Sequence, residues 1–98
     1  MLDSFRGKGA MVTGAASGIG FAVSKEMLKM GGSVFLADRD EKALAEAVEK
    51  LREHAGRVYP LVVDVTQQTQ VQQAVRNAAE IHGSLDFLFN NAGIGGTM

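Results

Sequence analysis

Thr13-Gly14-Ala15-Ala16-Ser17-Gly18-Ile19-Gly20 places three glycines between a short apolar run, Ala10-Met11-Val12, and a segment whose apolar residues recur at helical spacing. This reads as a strand that runs into a tight turn and out into a helix. Such a turn lets the backbone approach a phosphate closely. The helix behind it aims its free N–H groups and the positive end of its dipole at the charge. Three glycines alone also fit an ordinary strand-to-helix turn, so the residues downstream decide between the two.

Downstream, strands and helices alternate. Ile19, Ala22, Val23, Met27 and Met30 form the inward stripe of a first helix, which Gly31-Gly32 stops. Ser33-Val34-Phe35-Leu36-Ala37 is a second strand of buried type. Asp40 caps a second helix with Leu44, Ala47, Val48 and Leu51 inward, closed by Gly56. Val58 to Val63 is a third strand, and Val71, Ala74, Val75, Ala78 and Ile81 line a third helix ending at Gly83. Leu85 to Phe89 is a fourth strand. The order β-α-β-α-β-α-β implies an α/β fold, a Rossmann-type doubly wound parallel sheet with right-handed crossovers. By analogy with such folds the strand order is 3-2-1-4. Pro60 agrees, because a residue with no N–H to give the ladder belongs on an edge strand, and strand three is the edge in that order. A ligand would lie over the carboxyl ends of strands one and four, where the winding reverses. Residues 1–98 read as one dinucleotide-binding domain, with no linker, low-complexity tract or second domain.

Other polar residues fall at those same strand ends. Asp38 follows the second strand, 18 residues after Gly20, close to the spacing of a carboxylate that accepts both hydroxyls of an adenosine ribose. Capping of the next helix is the plainer role for it. A carboxylate there repels a 2′-phosphate, so the expected cofactor is NAD rather than NADP. Arg39 is the counter-signal, since a guanidinium pairs well with phosphate. Beside Asp38, however, an intramolecular partner or solvent is the simpler fate for it. Asp64-Val65 ends strand three, in reach of an adenine edge, while Asp64 also suits a cap for the helix beginning near Thr66. Asn90-Asn91-Ala92-Gly93 ends strand four.

Taken together, Thr13-Gly14-x-x-x-Gly18-x-Gly20, the acid at 38, Asp64-Val65 and Asn90-Asn91-Ala92-Gly93 resemble the short-chain dehydrogenase/reductase family over nearly the whole chain. The general G-x-G-x-x-G form is not met, because Val23 stands three residues after Gly20; the family's own spacing is what matches. The resemblance implies that Gly14, Ser17, Gly18, Ile19 and Gly20 face the pyrophosphate, Asp38 the ribose, and Asp64 and Val65 the adenine. Asn91, with Ala92 and Gly93, would lie by the second ribose, and Asn90 would help fix the central sheet. It implies hydride transfer between NAD and an alcohol or carbonyl, with a lysine-tuned tyrosinate exchanging the alcohol proton. The family places its serine, tyrosine and lysine beyond the Asn-Asn-Ala-Gly stretch. The sole tyrosine here is Tyr59, in the edge strand, and the fourth residue after it is Val63, not lysine. No catalytic residue is therefore assigned, and the 98 residues alone are expected to be inactive. The resemblance also implies a homo-oligomer for a full-length member.

Two readings stay open: the cofactor-binding half of a longer oxidoreductase, or a noncatalytic nucleotide-binding module complete at 98 residues. The apolar run Leu85-Asp86-Phe87-Leu88-Phe89 favours the first, because as a sheet edge only Asp86 guards it, and edge-to-edge association is expected if it stands alone. Composition removes other classes. A net charge of −1 with no basic cluster gives nucleic acid or an anionic membrane no purchase. Without cysteine there is no disulfide or thiolate metal site. His54 and His82 fall in last helical turns before glycines, where a cation complements the dipole, so no metal site is expected. The methionines read as core gap-fillers and Gly95-Gly96 as a loop. No long apolar span or signal-peptide core is present, so the expected location is the cytoplasm.

Overall fold

Alternating apolar and polar faces in this sequence resolve into three layers, and the computed structural model describes residues 5–91. Strand β1 (Gly9–Thr13) runs through the glycine turn into helix α1 (Gly18–Lys29). Strand β2 (Ser33–Asp38) leads to α2 (Glu41–Lys50) and a 3-10 turn (Arg52–Arg57). Strand β3 (Val58–Val62) leads to α3 (Gln68–His82), which is followed by β4 (Phe87–Asn90). The sheet is wholly parallel in the order β3-β2-β1-β4, as the Rossmann-type reading expects. Met11 stands level with Phe35 and Leu88, and Leu36 with Pro60, which lies on the edge strand.

Successive side chains of a strand point to opposite faces, and the two halves of the core follow from that. Val12, Val34, Leu36 and Val58 face Leu28 of α1 and Leu44, Ala47 and Leu51 at α2. Met11, Phe35, Ala37 and Val63 face Ala74 and Ala78 of α3. Strands β1 and β2 are covered on both sides, so their near-continuous apolar runs are buried. Phe35 also stacks on the Tyr59 ring at 4.6 Å.

Several boundaries and faces differ from the sequence expectation. The inward face of α1 is Gly20, Ser24 and Leu28, with Phe21, Val23 and Met27 partly covered; Ile19 is 67% exposed and Ala22 is exposed. Small residues let α1 lie close to the turn, and Ser24 satisfies its buried hydroxyl by donating to the Gly20 carbonyl at 2.8 Å. Ile81 is likewise exposed, because α3 touches the sheet only through its alanine line and the flanking Val71 and Val75. Helix α2 stops at Lys50, not at Gly56. The chain then tightens into the 3-10 turn, where Arg57 donates to the carbonyls of Leu28 and Gly32 and to Nδ1 of His54. This arginine caps the carboxyl end of α1, a role the sequence does not suggest. Strand β3 ends at Val62. Strand β4 begins at Phe87 because Asp86 is spent on β1: its carboxylate accepts from Gly9 N at 2.9 Å, and its own N–H donates to Gly9 O. Asp86 is thus engaged with β1 while remaining exposed. Asp40 is the α2 cap as expected, accepting from Ala43 N. Among the described residues no helix is long and apolar enough to cross a membrane.

Candidate functional site

The carboxyl ends of all four strands open on one side of the sheet, and the expected site residues collect there. Gly14 and Gly18 have φ of +63° and +61°, a region that costs an ordinary residue strain, so the turn needs glycine at both. A Cβ on Gly18 would meet nothing within 4 Å, which leaves that side of the turn open. Gly20 is held by space instead: a Cβ there would stand 2.4 Å from the Gly14 carbonyl and 3.0 Å from the Asn91 amide. The glycine spacing thus packs α1 against its own turn and leaves the outer surface of the turn free. Ser17 is the N-cap residue with an extended backbone, and its exposed hydroxyl makes no capping bond. Ile19 projects outward in the first turn of α1.

Asp38, the last residue of β2, is half-buried beside this turn. One carboxylate oxygen accepts from Ala16 N at 3.1 Å and the other from Asp40 N at 3.1 Å. It caps no helix. With Gly14, Arg39, Val63, Asp64, Val65 and Thr66 it lines a cleft of about 280 Å³. A second hollow of about 230 Å³ continues along the strand ends, sharing Val65 and Thr66 and reaching Thr13, Leu88 and Asn90. The two adjoin at Val65 and Thr66, and their linings together make up a trough that touches the ends of β2, β1 and β4.

Asp64 anchors the far wall. Its Oδ1 accepts from the Thr66 hydroxyl at 2.6 Å and the Thr66 N–H at 3.0 Å, and its own N–H donates to Gln70 Oε1. The Thr66 hydroxyl first and its N–H second hold the Asp64 carboxyl below the ordinary carboxylate value, with Arg39 adding a weaker pull against slight desolvation. Asp64 does not cap α3, which starts at Gln68 with Gln67 as its N-cap residue. Its bonds instead shape the loop that carries Val65. An aspartate two residues before a threonine is a local turn signal that sequence reading had available and did not use.

At the β4 end, Thr13 Oγ1 donates to Asn90 Oδ1 at 2.9 Å, tying the ends of the two central strands together. The Asn91 amide reaches the Gly14 carbonyl at 3.4 Å, which brings the turn and the end of β4 into one unit. Ala92, Gly93 and the Gly95-Gly96 pair lie outside the described residues. Gly14, Ser17, Gly18, Ile19, Gly20, Asp38, Asp64, Val65 and Asn91 therefore share one end of the sheet. His54 and His82 are remote from it and bonded to Arg57 and to the Ser84 carbonyl. Among the described residues no group of three acidic or imidazole side chains is placed to hold a metal.

Comparison with known proteins identifies the family. A family model described as short chain dehydrogenase matches residues 8–98. The 1-deoxy-11-beta-hydroxypentalenate dehydrogenase of Streptomyces avermitilis is 42% identical over 87 residues, which are 89% of this chain and 32% of that protein. A short chain dehydrogenase/reductase from Burkholderia phymatum, solved in complex with NAD, superposes with a TM-score of 0.80 at 39% identity, covering 90% of this chain and 31% of that one. The C-domain of a bacterial malonyl-CoA reductase, solved with NADP, superposes with a TM-score of 0.81 at 32% identity, covering 92% of this chain and 15% of that one. The chain spans about a third of the length of the curated relatives it matches.

Proposed function

This chain belongs to the short-chain dehydrogenase family, and on that premise we propose that it binds NAD along the trough at the strand ends, as the cofactor-binding part of an oxidoreductase. Gly14, Ser17, Gly18, Ile19 and Gly20 take the pyrophosphate, using backbone N–H groups and the amino end of α1. Asp38 accepts the adenosine ribose hydroxyls, Asp64 and Val65 border the adenine, and Asn91 with Ala92 and Gly93 lies at the second ribose. When bound, the dinucleotide supplies the ring that gives or takes a hydride. The residues of this chain bind and orient; the alcohol or carbonyl substrate and any homo-oligomer belong to the longer protein, and the expected compartment is the cytoplasm.

One observation carries the reading: Gly14 of the glycine turn, Asp38 and the Asp64-Val65 loop line a single cleft, and the turn is open at Gly18. Its chemistry fits an adenosine diphosphate, with N–H donors at a helix start for the phosphates and a carboxylate for a diol. Preference for NAD over NADP rests on Asp38, whose charge opposes a 2′-phosphate. Exposed Arg39 beside it works in the other direction, and since relatives are solved with either dinucleotide the balance is a property of this pair.

The test is a titration with NAD followed by amide NMR. Shifts confined to residues 14–20, 38–39, 64–66 and 90–91 are expected. Shifts elsewhere, or none at saturating NAD, contradict the placement.

A further inference from the structure

We propose that Asp38 is also a positioning residue, whose carboxylate holds the glycine turn in its phosphate-facing shape whether or not a ribose is present. The proposal rests on the trough being the cofactor site. It extends the role of Asp38 from touching the ligand to shaping the backbone that touches it.

The hydrogen bonds follow the chain in order. The β1–β2 ladder pairs Thr13 with Ala37 and should end there, since the chain leaves the sheet at Gly14. Instead, Ala15 N donates to the Ala37 carbonyl at 3.2 Å, and the next amide, Ala16 N, donates to Asp38 Oδ2 at 3.1 Å. The carboxylate supplies the rung that the departing backbone cannot. A bond to an ionised acceptor is about twice as strong as a neutral one, and this one is partly buried. Asp38 is itself fixed on the other side, because its carbonyl accepts from Val63 N at 3.0 Å and its Oδ1 accepts from Asp40 N. The aspartate thus clamps the turn to β3 and to the start of α2. Ala16 immediately precedes the Ser17 N-cap, so the clamp sets where the amino end of α1 points.

The two roles predict opposite signs. If Asp38 serves only to accept ribose hydroxyls and repel phosphate, its removal strengthens or leaves unchanged the binding of an anion lacking those hydroxyls. If it holds the turn, removal weakens that binding. The probe is 2′,3′-dideoxy-ADP, measured by calorimetry beside ADP, on the unaltered protein, Asp38→Ala and Asp38→Asn. The expected result is at least threefold weaker dideoxy-ADP binding by Asp38→Ala, and rescue to within twofold by Asp38→Asn, which keeps one oxygen for Ala16 N–H. Equal or tighter binding of dideoxy-ADP by Asp38→Ala overturns the proposal.

Hydrogen exchange without ligand reads the same clamp independently. The Ala16 amide is expected to exchange at least tenfold faster in Asp38→Ala than in the unaltered protein, and an unchanged rate overturns the clamp. If the unaltered protein binds neither nucleotide, the cofactor reading fails, and Ala16 exchange still decides the clamp. Should Asp38→Ala not fold, Asp38→Ser takes its place in both measurements, since its hydroxyl stands one bond short of the carboxylate oxygens.

Discussion

Strands β2 and β4 are built from similar residues, Val34-Phe35-Leu36-Ala37 against Phe87-Leu88-Phe89, yet one is wholly buried and the other mostly exposed. The difference is position. β2 has neighbours on both sides and helices on both faces, whereas among the described residues β4 pairs with β1 alone, and Phe87 and Leu88 remain 42% and 53% exposed. An apolar run thus specifies a strand, but the strands and helices around it decide what that run contributes. The same asymmetry divides the trough. Its β2 end is anchored by a half-buried carboxylate bonded on both oxygens; at its β4 end the fixed points are the Thr13–Asn90 and Asn91–Gly14 bonds.

The comparison breaks most readily at the two phenylalanines. Phe35→Ala empties a fully buried site stacked on Tyr59 and is expected to cost about 3–5 kcal/mol in denaturant unfolding. Phe87→Ala, which loses partial cover and an edge-to-face contact with Phe5, is expected to cost about 1 kcal/mol. Equal losses would mean that β4 is as well supported as β2. Gly20→Ala comes next. Its Cβ meets the Gly14 backbone carbonyl, which cannot swing away as a side chain would, so roughly 1–3 kcal/mol of stability and most nucleotide affinity should go together. Retained affinity in that variant would show that the turn and α1 can separate without harm to the site.

The smallest effect concerns Asp64. Its folded-state pKa lies below the ordinary aspartate value because Thr66 bonds the ionised form, so its contribution to stability is present above that ordinary value and fades as pH falls through the lower folded one. Thr66→Val, which removes the hydroxyl but keeps the N–H, should lower stability slightly at neutral pH and converge with the unaltered protein in acid, so that unfolding becomes less acid-sensitive below about pH 4. An identical acid limb in the two proteins would mean that the hydroxyl bond is not formed in solution.

How much was legible in the sequence follows the range of the interactions. The alternation of elements, the strand order and the Asp40 cap are written in local patterns, in apolar period and in Pro60, and the structure reproduces them. Faces were harder. Ile19 looks like core in a helical count, but the inward line is Gly20, Ser24 and Leu28, chosen for close approach rather than hydrophobicity. Contacts between residues 77 apart, such as Asp86 with Gly9 and Thr13 with Asn90, left no local trace, and the first of them moved the start of β4. At the site, residue types and spacing named Asp38 and Asp64. Their hydrogen-bond partners, Ala16 N and Thr66, appear only once the turn and loop are folded.

The central claim is an NAD site at the strand ends whose selectivity comes from Asp38, and calorimetric titration with NAD and NADP of the unaltered protein and Asp38→Ala tests it most directly. The expected result is NAD binding at least tenfold tighter than NADP, about 1.4 kcal/mol, with the ratio falling toward one in Asp38→Ala. NADP binding as tight as or tighter than NAD in the unaltered protein, or a ratio that Asp38→Ala leaves unmoved, would contradict it.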